Sequence, residues 1–226
     1  MSHRELAESI DSTLSAIVQS KPSSTDRKKN VARVYRQIGE ASVMVRACVK
    51  ENYWTQWANK FVDNFTTHAS RNHRNIPPET EVKLIARFAE QITTTTSQGQ
   101  ATMLKILNAA IASMSAIGSR VIEFCRSDAY KTDVYLTQVE KLVLLILKKD
   151  GCADILANMS EEQAENILNT LFILMRPTGM DPTDPEYLRI EKAVRRQKCA
   201  DILRLLLGAA PSNFLLRVCS SRILHD

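Results

Sequence analysis

The sequence predicts an all-α protein of eight or nine antiparallel helices, arranged as an irregular stack of helix pairs or as a globular helical bundle. Three observations lead there. Gly and Pro number only 6 and 7 among 226 residues, below their usual shares of about 7% and 5%. A β-sandwich or small barrel needs turn residues every ~8–12 positions, and this chain has too few. Every substantial apolar pattern recurs at three or four residues rather than two, which is the helical period. The breaks between patterns are short, and short connections favour antiparallel neighbours.

The first helix spans about 2–20, with Leu6, Ile10, Leu14, Ile17 and Val18 on one stripe. Residues 21–25 carry Pro22 between polar residues and break it. The second spans about 26–51, with Val31, Val34, Tyr35, Ile38, Val45, Cys48 and Val49 facing inward. Asn52 reads as the N-cap of a third helix reaching about residue 70. Residues 71–78 form a loop ending in Pro77-Pro78, and proline suits the first turn of the helix that follows. There Glu79 and Glu81 lie where the helix dipole favours negative charge, ahead of Val82, Ile85, Ala89 and Ile92.

Thr93 to Ser97 is polar and β-branched and reads as a loop. A long helix over about 98–126 follows, with a kink expected at Gly118-Ser119. The next, about 132–149, is apolar on more than one side, as a central helix is. Lys148 and Lys149 suit its C-terminal turn, and Gly151 is a stop. A short helix covers 152–158. Ser160-Glu-Glu-Gln163 is a capping box opening a helix that ends at Pro177. Residues 177–185 are a Pro-rich loop. A helix over about 186–207 follows, ended by residues 208–211, and Ser212 caps a last helix to about 224.

No fixed internal repeat with a side-chain signature is present. At the level of architecture the pattern is similar to the irregular HEAT, armadillo and MIF4G-type stacks, or to a globular bundle. One domain over 1–226 is expected, with joints near 71–78 and 177–185.

The composition bounds the function. Five cysteines, no two closer than 20 positions, make neither a disulfide framework nor a zinc spacing and read as buried free thiols. The N-terminal segment lacks the apolar core of a signal peptide. Residues 142–147 form the longest strongly apolar run, far below the ~20 needed to span a bilayer. A cytoplasmic or nuclear protein away from membranes is expected. No glycine loop cradles a phosphate, and no Walker, G-x-S-x-G or H-E-x-x-H motif occurs. The four histidines, His3, His68, His73 and His225, stand at no metal-like spacing. A non-enzyme without cofactor or metal is the expectation.

Net charge is +5, and its excess lies in residues 1–75, with 12 Lys/Arg against 7 Asp/Glu. Three features are candidates for binding a partner. Arg27, Lys28, Lys29, Arg33 and Arg36 cluster on the second helix, with Lys29, Arg33 and Arg36 opposite its apolar stripe and Arg36 four residues before Glu40. Arg71, His73 and Arg74 add charge in a nearby loop. Tyr53, Trp54, Trp57, Phe61 and Phe65 form an aromatic stripe, which reads either as core or as an interface hot spot. Tyr53 lies off its line and is the residue expected at the surface. Arg189, Lys192 and Arg196 make a second cationic stripe, with Arg195 and Lys198 beside it, ahead of Cys199.

The function these features predict is a non-enzymatic scaffold or adaptor binding an acidic or amphipathic protein through a helical groove or face. An RNA-associated helical protein, translation-factor-like or nucleoprotein-like, is the alternative carried by the basic first third. Homo-oligomerisation through the last helix, with Phe214, Leu215, Leu216, Val218, Cys219, Ile223 and Leu224, is a third expectation.

Overall fold

The computed structural model describes residues 3–21, 24–40, 51–71, 79–118, 129–175, 183 and 185–212. Among them the chain is all-helical, in the order α1 (His3–Gln19), α2 (Thr25–Glu40), α3 (Glu51–Arg71), α4 (Glu79–Gln91), α5 (Ser97–Gly118), α6 (Ala129–Leu147), α7 (Cys152–Ala157), α8 (Glu161–Met175) and α9 (Glu186–Ala209).

The helices pack as two layers. One layer runs α1, α3, α5, α8, and the other runs α2, α4, α6, α9, each helix against the next. The pairs α1–α2, α3–α4, α5–α6 and α8–α9 bridge the layers. The short α7 packs on α5. This is the stack of helix pairs, built of four rungs.

Named bonds give the directions. Gln37 Nε2 donates to Ser9 Oγ at 3.0 Å, and Arg27 donates to the Ile17 carbonyl at 2.8 Å. Early α1 thus meets late α2, and late α1 meets early α2, so the first rung is antiparallel. Within the second layer α2 and α4 run parallel. The start of α2 bonds the start of α4 through Arg27 and Glu81. Late in the two helices, Arg87 of α4 donates to the Tyr35 hydroxyl of α2 at 3.3 Å.

Amphipathic stripes drive the packing. Ile10, Leu14 and Ile17 of α1 are buried, as are Val31, Val34 and Ile38 of α2. Trp54, Trp57, Phe61 and Phe65 of α3 and Val82, Ile85 and Phe88 of α4 join the same core. Fully burying one such side chain contributes about 1.5–3 kcal/mol. In α6, Leu142, Val143 and Ile146 are buried while Leu144, Leu145 and Leu147 are half-buried, so its extra apolar side is only partly covered.

Several boundaries differ from the sequence expectation. The helix of α3 already includes Asn52, which is therefore not its N-cap. At the break between α4 and α5 the threonine hydroxyls take up nearby backbone donors. Thr93 Oγ1 accepts from Thr95 N at 3.3 Å, and Thr96 Oγ1 accepts from Gly99 N at 3.1 Å as the cap of α5. Gly99 belongs to this joint, since a Cβ there would collide with the Thr93 carbonyl. The side chain of Lys149 reaches beyond its own helix end. Its Nζ donates to the carbonyls of Glu90 and Ile92, closing the end of α4.

The capping box forms as expected, Gln163 N donating to Ser160 Oγ at 3.2 Å and Ser160 N to Gln163 Oε1 at 3.0 Å. Helix α9 runs through Gly208 to Ala209 instead of stopping before it. It ends where Ala210 turns extended (φ −72°, ψ 134°), the conformation that the following Pro211 imposes. The expectations for residues 41–50, with Val45, Cys48 and Val49, for the kink at Ser119, and for the last helix lie outside the described residues.

Candidate cationic interface on the second helix

Helix α2 carries five cations, and the fold divides them. Arg27 lies at the same helical angle as Val31, Val34 and Ile38, so folding carries it inward. It is 1% exposed. Its Nε donates to Glu81 Oε1 at 2.6 Å and its NH2 to Glu81 Oε2 at 3.0 Å. Its NH1 donates to the Ile17 carbonyl and to Asn64 Oδ1 at 2.9 Å. One guanidinium thereby ties α2 to α1, α3 and α4. The expected cationic cluster loses Arg27 for this reason. Glu81, read from sequence as a dipole-favoured residue at a helix start, is the buried partner.

The other four cations, Lys28, Lys29, Arg33 and Arg36, are exposed. Among the described residues none of their side chains has an ion-pair or hydrogen-bond partner. The side chains of Lys21, Lys141, Lys148 and Arg189 are exposed and unpaired among the described residues too, whereas Arg4, Lys60, Lys83, Arg87, Lys105, Lys198 and Arg204 each hold a carboxylate. At 100° per residue the four α2 cations fall within an arc of about 140° centred opposite the buried stripe. Asp26, exposed at the edge of the arc, is the opposing charge whose side chain is described. The side chain of Glu40, expected to pair with Arg36, lies outside the described residues.

The aromatic stripe goes to the core. Trp54 and Trp57 are 3% and 2% exposed, with their rings edge-on at 5.5 Å. Burial takes both away from any partner docking on this surface. Tyr53 is 44% exposed and rests against Trp57 at 5.7 Å.

The second cationic stripe is on α9. Arg189 is exposed, and Arg196 is half-buried beside a shallow depression of about 240 Å³ lined also by Ala193, Gln197 and Ala200. Lys198 pairs with Glu140 of α6 at 2.7 Å. The side chains of Lys192 and Arg195, and those of Arg71, His73 and Arg74, lie outside the described residues. Helices α4 and α6 separate α2 from α9 in their layer, which places the two stripes at its opposite ends.

Cys152 and Cys199 are buried free thiols. Burial pushes the Cys152 thiol up from its ordinary value, which disfavours the reactive thiolate. Tyr135 is buried in the core and donates to Ser113 Oγ at 2.6 Å. No three His, Cys, Asp or Glu side chains converge as a metal site among the described residues. No helix there is long and apolar enough to cross a membrane.

Comparison with protein-family models, with curated proteins and with solved structures finds no match.

Proposed function

We propose that this chain is a non-enzymatic helical scaffold that binds a protein partner along the exposed face of α2. The carrying observation is the set of Lys28, Lys29, Arg33 and Arg36, exposed on an end helix of the stack and unpaired among the described residues. Cations that pair internally offer a partner little. Cations that do not pair steer an anionic partner and set its register. The rigid rungs beneath, clamped by Arg27, hold that face in place.

The experiment compares proteins retained from lysate by the wild-type chain and by Lys29→Glu/Arg33→Glu/Arg36→Glu, with RNase present. Circular dichroism checks that both are folded. A protein retained by the first and lost by the second is the expected result. Identical protein sets would refute the reading.

A second reading, association with RNA, is favoured by the charge excess of residues 1–75. It requires generic RNA binding that falls steeply between ~50 and ~200 mM salt. Absence of binding at ~50 mM salt would remove it.

A further inference from the structure

We propose that the segment docking on α2 is an acidic α-helix laid lengthwise along it, a reading that rests on the protein-docking function above. The four unpaired cations carry the charge half of the inference. Their placement carries the shape half.

Thr25, Ala32 and Gly39 recur every seven residues along the outward arc of α2. Thr25 and Ala32 are exposed, and an added Cβ at Gly39 would meet nothing within 4 Å. Lys28 flanks this line on one side, and Lys29, Arg36 and Arg33 flank it on the other. With no bulky side chain on the line, a second helix can approach to the ordinary packing distance of about 8–10 Å. The long cationic side chains then reach carboxylates on its flanks. A seven-residue line drifts by about 20° per repeat on a straight helix. A partner crossing at about 20° follows it.

Lys29, Arg33 and Arg36 stand at i, i+4 and i+7, rising about 6 and 4.5 Å in turn. A helix with carboxylates at the same spacings matches all three.

The surroundings disfavour a nucleic acid here. Single strands use exposed aromatic platforms for stacking, and the outward arc of α2 has none. Tyr35, its aromatic residue, is half-buried with the Arg87 guanidinium 5.0 Å from its ring centroid. An exposed carboxylate, Asp26, borders the stripe on α2. It opposes a continuous phosphate backbone more than a helix of matched spacing.

The test uses three labelled probes read by fluorescence anisotropy. The first is an alanine-based peptide of about 18 residues, five helical turns, with Glu at i, i+4 and i+7. The second has the same composition interrupted by two prolines. The third is oligo(U). The helical peptide should bind, weaken as salt screens the charges, and exceed the proline-broken peptide by roughly tenfold through its fixed register. Lys29→Glu/Arg33→Glu/Arg36→Glu should lose about tenfold or more, the summed effect of three exposed pairs. Ala32→Trp, a surface change, should weaken the helical peptide alone.

Equal binding of both peptides, with Ala32→Trp neutral, would overturn the helical inference while the lysate result still stands for docking. Preference for oligo(U) would overturn both. A dimer that the triple variant converts to monomer would assign the face to a second copy. No binding of any probe at ~50 mM salt overturns the inference, and the lysate experiment then decides the docking reading by itself.

Discussion

Replacing Glu81 by Ala removes both carboxylate oxygens that Arg27 uses. The guanidinium stays buried with two neutral acceptors, the Ile17 carbonyl and Asn64 Oδ1. Removing one partner of a buried ion pair costs about 3–5 kcal/mol, because the remaining charge is uncompensated. For a chain of this size each kcal/mol moves the thermal midpoint by about 2–4 °C, so a fall of about 6–20 °C is expected. Replacing both partners, Arg27→Met with Glu81→Leu, should restore most of the loss, since an apolar pair of similar volume needs no desolvation. The Ile17 carbonyl is not orphaned in that variant, because Ser20 donates to it through both its backbone N and its hydroxyl. Asn64 Oδ1 does lose its donor, which leaves the double variant about 1–3 kcal/mol short of full recovery. Urea unfolding followed by far-ultraviolet circular dichroism measures the wild type, Glu81→Ala, and the cycle of Arg27→Met, Glu81→Leu and their double variant. A cost below about 1 kcal/mol for Glu81→Ala, or a double variant as unstable as the two singles combined, would refute the clamp.

Two glycines should respond oppositely. Gly99→Ala forces the Thr93 carbonyl aside and should cost about 1–3 kcal/mol, whereas Gly39→Ala enters open space in a helix and should gain about 0.5–1 kcal/mol. Thermal melts of the two variants check the contrast. Ser160→Ala removes the acceptor that caps Gln163 N and should lower stability by about 1 kcal/mol in urea titration. Alkaline pH should destabilise the fold. Burial raises the Tyr135 hydroxyl well above its ordinary range, the bond to Ser113 only partly opposing it, and burial raises the Cys152 thiol. Both groups therefore hold their protons more tightly when folded. Their contribution is intact below the unfolded values, about 8.5 for Cys and 10 for Tyr, and declines above them. Urea midpoints from about pH 8 to 11 should fall, and Tyr135→Phe should flatten the portion above about pH 10.

The helices were legible because each buries a stripe at 3.6-residue spacing, and that spacing is local. Val31, Val34 and Ile38 predicted the inner face of α2 without knowledge of α4. The layering was not legible, since which stripes meet depends on shape across long separations. Arg27 shows where a signal existed and was misread. It stands on the apolar line four residues before Val31, as Glu81 stands four before Ile85 and seven before Phe88. A charge on such a line predicts a buried partner, but only the fold says which. Lys149 gave no comparable signal, because the carbonyls it closes, of Glu90 and Ile92, become open only through the break at Thr93. For the proposed binding face, the sequence located Lys29, Arg33 and Arg36 and their outward direction. The absence of partners for them among the described residues required the packing of every neighbour.

That face runs against the stability of its own helix. Lys29 and Arg33 are i,i+4, and Arg33 and Arg36 are i,i+3, so α2 holds two like-charge contacts, each costing about 0.2–0.5 kcal/mol. Lys28 adds a cation in the first turn, where the helix dipole is positive and only Asp26 opposes it. Among the described residues nothing in the packing asks for this, since the core residues and Arg27 lie on the other side. A local rule broken without a compensating gain in the fold points to function. Arg33→Glu separates the two roles. It turns both repulsive contacts into attractive ones and should raise stability by about 0.8–2 kcal/mol at low salt, about 2–8 °C. The same substitution should weaken acidic-helix binding. A variant that loses stability would mean that the cations of α2 serve the fold, and that the open face is a consequence of packing rather than a place kept for a partner.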